Sequence, residues 1–231
     1  MKTLKISKAY PLRIDIITLF PKMFAGPMNE SIMWRAQDKK FIDLNIVDLR
    51  QFGITERRTV DDRPYGGGAG MILRVDVIDN ALKSIKAKPK IKGQKIVMTD
   101  AGGEIFTQKK AYEYSELERL VIICGHYEGI DHRVHENLID DTTSIGNYVL
   151  TGGEIPAMVI ADAVTRLIPN VIKPKSLEEE SHNINVGSHS NIDGGEYPQY
   201  TRPPLYNGWQ VPEVLLTGNH GKIKKWRDKT K

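Results

Sequence analysis

A single cysteine, Cys124, stands among 231 residues, which excludes an internal disulfide framework and a zinc site built from several cysteines. That usage suits a reducing compartment, and the cytoplasm is the expected location. No apolar run approaches the ~18 residues of a membrane-spanning helix, so no membrane partner is expected. The lysine-bearing start, Met1 to Arg13, lacks the unbroken apolar stretch of a secretory signal and reads as an extension of the mature chain. An excess of one charge is also missing: 33 Lys and Arg face 29 Asp and Glu, a net of +4, too mild to establish a nucleic-acid partner by itself. There is no internal repeat or low-complexity tract. The six histidines share no recurring metal-ligand spacing, and no structural metal is expected; His132 and His135, at i and i+3 on a predicted helix, read as surface residues.

What is present is an ordinary globular composition, 40% apolar and 27% charged, with strands and helices in alternation. Arg13 to Phe20 is a predicted strand, and Pro21 opens a helix over Met23 to Ala36 that Pro27 interrupts. Phe41 to Leu49 places Ile42, Leu44 and Ile46 at period two. A helix over Arg74 to Lys86, a short strand at Lys95 to Met98 and a charged helix over Thr107 to Leu117 follow. Leu120 to Cys124 is a continuous apolar run that ends at glycine, as in a strand buried on both faces of a parallel sheet. The order implies an α/β fold. Ile155 to Ile168 is a helix apolar almost all round, which predicts burial in the domain or against a second subunit. From Lys173 the composition turns to Ser, Asn, Gly, His, Glu and Pro, marking a domain boundary. A short helix at Val211 to Leu216 and a basic one from His220 complete the chain.

Three glycine-dense turns stand beside strand-like runs: Asp61 to Gly70 (DDRPYGGGAG), Gly125 to Gly129 (GHYEG) and Ile145 to Gly153 (IGNYVLTGG). Clustered glycine answers a need for positive φ or for close approach of backbone to a ligand. Gly66 to Gly70 is no Walker A loop, since Met71-Ile72 replaces the Lys-Ser or Lys-Thr pair, and it does not match GxGxxG. Met98-Thr99 and Cys124-Gly125 stand at carboxyl ends of predicted strands, where open α/β sheets bind ligands. Ile145 to Leu150 suits an apolar slot with backbone hydrogen bonds, of the kind that grips an adenine.

Taken in order, Arg58 to Met71, Cys124 to Asp131 (CGHYEGID), Ser144 to Glu154 (SIGNYVLTGGE), Tyr200 to Pro203 (YTRP) and Val211 to His220 (VPEVLLTGNH) resemble the bacterial tRNA (guanine-N1-)-methyltransferase family over nearly the whole chain. The resemblance implies a SPOUT-type, trefoil-knotted parallel-sheet domain that binds S-adenosylmethionine, a small and mainly helical C-terminal domain, and a homodimer. The implied domains are 1–172 for the donor, 173–196 as linker and 197–231 for tRNA. The implied reaction is methylation of N1 of guanosine 37 in tRNA, with the anticodon stem-loop as partner. Carried over, the donor pocket uses Thr99, Gly125, Glu128, Ile145, Gly146, Asn147, Tyr148, Val149, Leu150, Gly152 and Gly153; Asn147 replaces an Asp of many relatives. The resemblance leaves a Mg²⁺ requirement open.

Methyl transfer to guanine N1 needs alignment, a base for the N1 proton and a positive group for charge that spreads to O6. Arg166 is the candidate cation; its local spacing equally suits an i, i+4 pair with Asp162. Glu180, in the run Glu178 to Glu180, takes the place of the family's linker carboxylate, with Glu179 the alternative if the register shifts by one. Glu128 holds donor or substrate groups in the family's manner, or else caps the helix near Asp131. Cys124 reads as a buried packing residue. Phosphates and loop bases call for cations and aromatics, and the candidates are Arg57, Arg58, Arg63, Tyr200, Arg202, His220, Lys224, Lys225 and Arg227. Relatives continue beyond Trp226-Arg227, which makes a shortened RNA-binding domain the expectation. Two contrasting readings stay open at this point: a non-catalytic RNA- or cofactor-binding protein of the same fold, and a SPOUT methyltransferase with another RNA target.

Overall fold

A computed structural model of the chain describes residues 11–173 and 197–230. Contacts divide it into two compact units, Met1–Ile172 and Lys173–Lys231. The first is built on five parallel strands, β1 (Leu12–Thr18), β2 (Ile42–Asp48), β5 (Gln94–Ile105), β6 (Arg119–Cys124) and β7 (Asp141–Ser144), in the order β2-β1-β6-β5-β7. Successive side chains of a strand face opposite ways, and β6 shows the result. Leu120 and Ile122 join a core with α1 (Ser31–Asp38), α3 (Gln108–Ser115) and α5 (Glu154–Arg166), whereas Val121 and Ile123 join one with α2 (Val75–Ser84) and α4 (His132–Asn137). Helices therefore cover both faces, and the α/β reading of the strand and helix alternation holds.

Several boundaries differ from expectation for local reasons. Pro21 and Pro27 each open a 3₁₀ turn, Pro21–Phe24 and Pro27–Asn29, so the predicted helix over 23–36 begins only at Ser31. A proline ring presets φ and removes an N–H, which suits a first turn and not a helix interior. β5 runs far past Met98: its pairing with β7 shifts between Thr99 and Glu104, and within that bulge the Asp100 carboxylate accepts the Gly102 N–H at 2.7 Å. β7 itself was not anticipated, because Asp-Thr-Thr-Ser has no apolar alternation. Nor was the two-stranded ribbon of β3 (Asp61–Asp62) and β4 (Ile72–Leu73), which frames the first glycine turn.

A buried acid anchors β1. Asp15 is fully enclosed, and it accepts from Arg13, from Asn45 Nδ2 at 2.7 Å and from Arg119 Nε at 2.8 Å. A carboxylate withdrawn from water needs such complete pairing, and here it joins three adjacent strands.

The second unit holds an antiparallel pair, β8 (Leu205–Tyr206) with β9 (Trp209–Gln210), and two helices, Glu213–Leu216 and His220–Lys229. The hairpin was not expected. Asn219 caps the basic helix by accepting the Lys222 N–H at 3.0 Å.

Candidate functional site

The first two glycine-dense turns are joined through their backbones. Glu128 donates its N–H to the Met71 carbonyl at 3.1 Å, Leu73 donates to Gly129 at 2.9 Å, and Asp131 donates to Leu73 at 3.0 Å. Gly70 has φ +75°, and any Cβ there would run into Cγ of Glu128, so glycine is required on both counts.

The third turn meets the second from the other side. Gly153 donates its N–H to the Gly125 carbonyl at 2.7 Å. Thr99, at the carboxyl end of the regular part of β5, locks this crossing: its hydroxyl accepts the Gly125 N–H at 3.3 Å and donates to the Ile123 carbonyl at 3.2 Å.

The second and third turns, with the end of the regular part of β5, line a cavity of about 230 Å³, while the first turn braces the second from outside its wall. All of the donor-pocket candidates except Asn147 stand in its wall. Asp100, His126, Tyr127 and Thr143 also line it and were missed; Asp100 and Thr143 belong to the bulge of β5 and to β7, which carried no readable pattern. One rim of the cavity is apolar yet open: Tyr148, Val149 and Leu150 are 55%, 85% and 38% exposed. From Val149 to Gly152 the backbone makes no hydrogen bond among the described residues. Backbone polar groups seldom go unpaired unless solvent or a ligand satisfies them, so the loop offers both apolar contact and free backbone donors and acceptors. A planar, partly apolar heterocycle fits that offer.

Glu128 stands in the cavity wall and does not cap the following helix. Asp131 does so itself, accepting the Arg133 N–H at 3.0 Å. The hydrogen bond from the Arg133 side chain, against a smaller opposing effect of burial, holds the Asp131 carboxyl below the usual range. Burial, with the negative charge of Glu154 second, pushes the Cys124 thiol well up, which disqualifies it as a nucleophile at neutral pH. Among the described residues no group of three His, Cys, Asp or Glu side chains is arranged to hold a metal ion. His132 is exposed, as read, whereas His135 is half-buried, and their rings stack with centroids 5.3 Å apart.

Arg166 is not in the cavity wall. It lies half-buried in the last turn of α5, whose opposite end supplies Gly153 and Pro156 to the cavity. Ten residues of helix separate it from Pro156, a rise of ~15 Å. Arg166 therefore does not border the cavity of its own chain. Glu180 and Glu179 lie outside the described residues.

The RNA candidates fall in both units. Arg57 and Arg58 occupy an exposed turn closed by the Ile54–Thr59 bridge. Arg63 lines a second cleft, together with Tyr65, Arg74 and Arg133. In the second unit Arg202, His220, Lys224 and Lys225 are exposed, and Tyr200 is 50% exposed. Arg227 is half-buried, its guanidinium 4.4 Å from the Tyr197 ring centre. Trp209 is 73% exposed, while Trp226 packs against Tyr200 with ring centres 6.3 Å apart.

The family model described as tRNA (Guanine-1)-methyltransferase TrmD matches residues 12–231. A tRNA (guanine-N(1)-)-methyltransferase of Chloroflexus aggregans is 48% identical over 216 residues, covering 94% of this chain and 81% of its own. A protein of the same name from Bacillus pumilus is 46% identical over 219 residues, covering 94% and 86%.

Proposed function

The chain belongs to the tRNA (guanine-1)-methyltransferase family, and from that premise we propose that it methylates N1 of guanosine 37 in tRNA, beside the anticodon, with S-adenosylmethionine as donor. The observation that carries the reading is the convergence of the second and third glycine-dense segments and the carboxyl end of the regular part of β5 on one cavity, whose rim from Val149 to Gly152 makes no backbone hydrogen bond among the described residues. An adenosyl group would be held there by Ile145, Tyr148 and Leu150 against its faces and by main-chain groups at its edges. The donor supplies, when bound, a methyl group on a cationic sulfur that keeps the bonding electron pair and becomes a neutral thioether.

The remaining work falls to side chains. Glu180 takes the proton from guanine N1, which turns the ring nitrogen into the attacking lone pair. Arg166 faces the negative charge that this leaves on O6. Glu128, projecting from the cavity wall, orients the guanine or the donor.

Arg166 stands ~15 Å along the helix from Pro156 in the wall of its own chain's cavity, and the reading therefore takes a homodimer in which each cavity receives the partner's guanidinium. Exposed apolar side chains support it: Phe20, Met23, Ile155 and Val159 are 36–46% exposed, and the first three line one cleft. The tight crossing of Gly153 over Gly125 and Thr99 is what a chain threaded through a trefoil knot demands of its backbone. The basic helix from His220, with Tyr200 and Arg202, is the surface proposed for the anticodon stem-loop.

The test is incubation of the full chain with S-adenosylmethionine and tRNA bearing guanosine 37, followed by nucleoside analysis. N1-methylguanosine at that position is expected. Its absence, or its appearance elsewhere in the tRNA, overturns the reading.

A further inference from the structure

Glu154 is a carboxylate beside the donor cavity to which the reaction above gives no task. Its side chain is only 2% exposed, at the first position of α5. Oε1 accepts a hydrogen bond from the Thr18 hydroxyl at 2.8 Å. Oε2 lies behind Gly152: a methyl carbon on that glycine would stand 2.5 Å from Oε2 and 2.7 Å from His126 Nδ1. The Nδ1 atom is itself buried without a hydrogen-bond partner among the described residues. No Lys or Arg pairs with Glu154 among the described residues.

A carboxylate so enclosed requires compensation. The Thr18 hydroxyl and the positive end of α5 supply part of it. On the side of the donor cavity, Oε2 stands behind Gly152, which has no side chain to intervene and forms part of the cavity wall. Cys124, on the adjoining strand end, already senses that negative charge.

We propose that Glu154 is the counter-charge of the donor cavity, acting across Gly152 so that the cavity prefers a cationic sulfonium ligand to its neutral thioether product. The proposal rests on the donor reading above. It gives the buried acid a role in turnover: the hold on the ligand weakens once its charge is lost, which favours exchange of spent molecule for fresh donor. Glu154 touches no reacting atom in this scheme and is a specificity residue.

Calorimetric titration of the full chain tests it, with S-adenosylmethionine and S-adenosylhomocysteine as probes, at pH 8 where an ordinary histidine is neutral. The wild-type protein is expected to bind the sulfonium more tightly than the thioether. In Glu154→Gln the sulfonium should bind about tenfold more weakly and the thioether with unchanged affinity, the size expected of one unit charge acting across several ångströms of protein. Equal weakening of both ligands would mean a packing role and would overturn the proposal. So would tighter thioether binding by the wild-type protein, a result that stands even if the variant does not fold. If the wild-type protein binds neither probe, the donor reading fails instead.

Discussion

The backbone N–H of Gly153 meets the carbonyl of Gly125 at 2.7 Å, and this one bond ties the start of α5 to the turn that follows β6. A methyl carbon on Gly153 would sit 2.5 Å from the Gly125 nitrogen and strike the Thr99 hydroxyl, while one on Gly152 would meet Glu154 and His126. Both positions are closed to any side chain by main-chain or buried atoms that cannot move aside cheaply.

Gly153→Ala should therefore weaken donor binding by roughly 10- to 100-fold, the equivalent of the ~1–3 kcal/mol that overpacking costs. Calorimetry with S-adenosylmethionine measures this. Unchanged affinity in a folded variant would show that the crossing is not part of the site.

Arg166→Ala should lower turnover by ~10²–10³ with little change in donor affinity, as for loss of a group that meets charge in the transition state. Mixing this variant with Gly152→Ala after dissociation and reassociation should restore roughly a quarter of wild-type activity, because half of the dimers then hold one intact cavity facing one intact arginine. No restoration would place the arginine and the cavity in the same chain.

Within the acidic run, Glu180→Ala should reduce N1-methylguanosine formation by ~10²–10⁴ while leaving donor binding intact, and Glu179→Ala should stay near wild type. Single-turnover measurements at saturating donor decide between the two. The reverse pattern would move the base by one residue.

Asp15→Ala should destabilise the first unit by ~3–5 kcal/mol, because it leaves Arg119 and Arg13 without their shared buried acceptor. Urea denaturation reads the loss directly. A change below ~1 kcal/mol would mean that the cluster is replaceable by water.

Asp131 titrates below the ordinary carboxylate range because Arg133 binds its charged form. A carboxylate with a depressed folded pKa contributes stability above its unfolded value, and that contribution is lost as the pH falls through the folded value. Asp131→Asn should therefore flatten the acid side of the stability profile below pH ~4 and have a smaller effect on its slope near neutrality. Thermal melting across that range tests the sign.

Periodicity in the sequence was enough for the buried strands and for α2, α3 and α5, since apolar spacing along the chain encodes which face meets a core. Glycine density, which has a local cause, was enough to mark the two loops, Gly125 to Gly129 and Ile145 to Gly153, that line the cavity. β7 and the ribbon of β3 with β4 stayed hidden, for Asp141–Ser144 and Asp61–Asp62 are polar residues whose strand state comes from a neighbour's free edge and not from their own side chains. The helix over 23–36 was misjudged because two prolines allow either a kink or two separate turns, and only packing of Phe24 and Met28 into the core selects the turns.

The amino-acid order by itself determined the α/β class, the family and about half of the cavity wall, since each depends on residue types at fixed local spacing. Only the tertiary structure decided which atoms meet: that Glu128 closes on Gly70, that Glu154 stands behind Gly152, and that Arg166 lies a helix-length from the cavity its own chain builds. Those relations depend on how strands cross and where a helix axis points, and they join residues far apart in sequence whose identities carry no trace of one another.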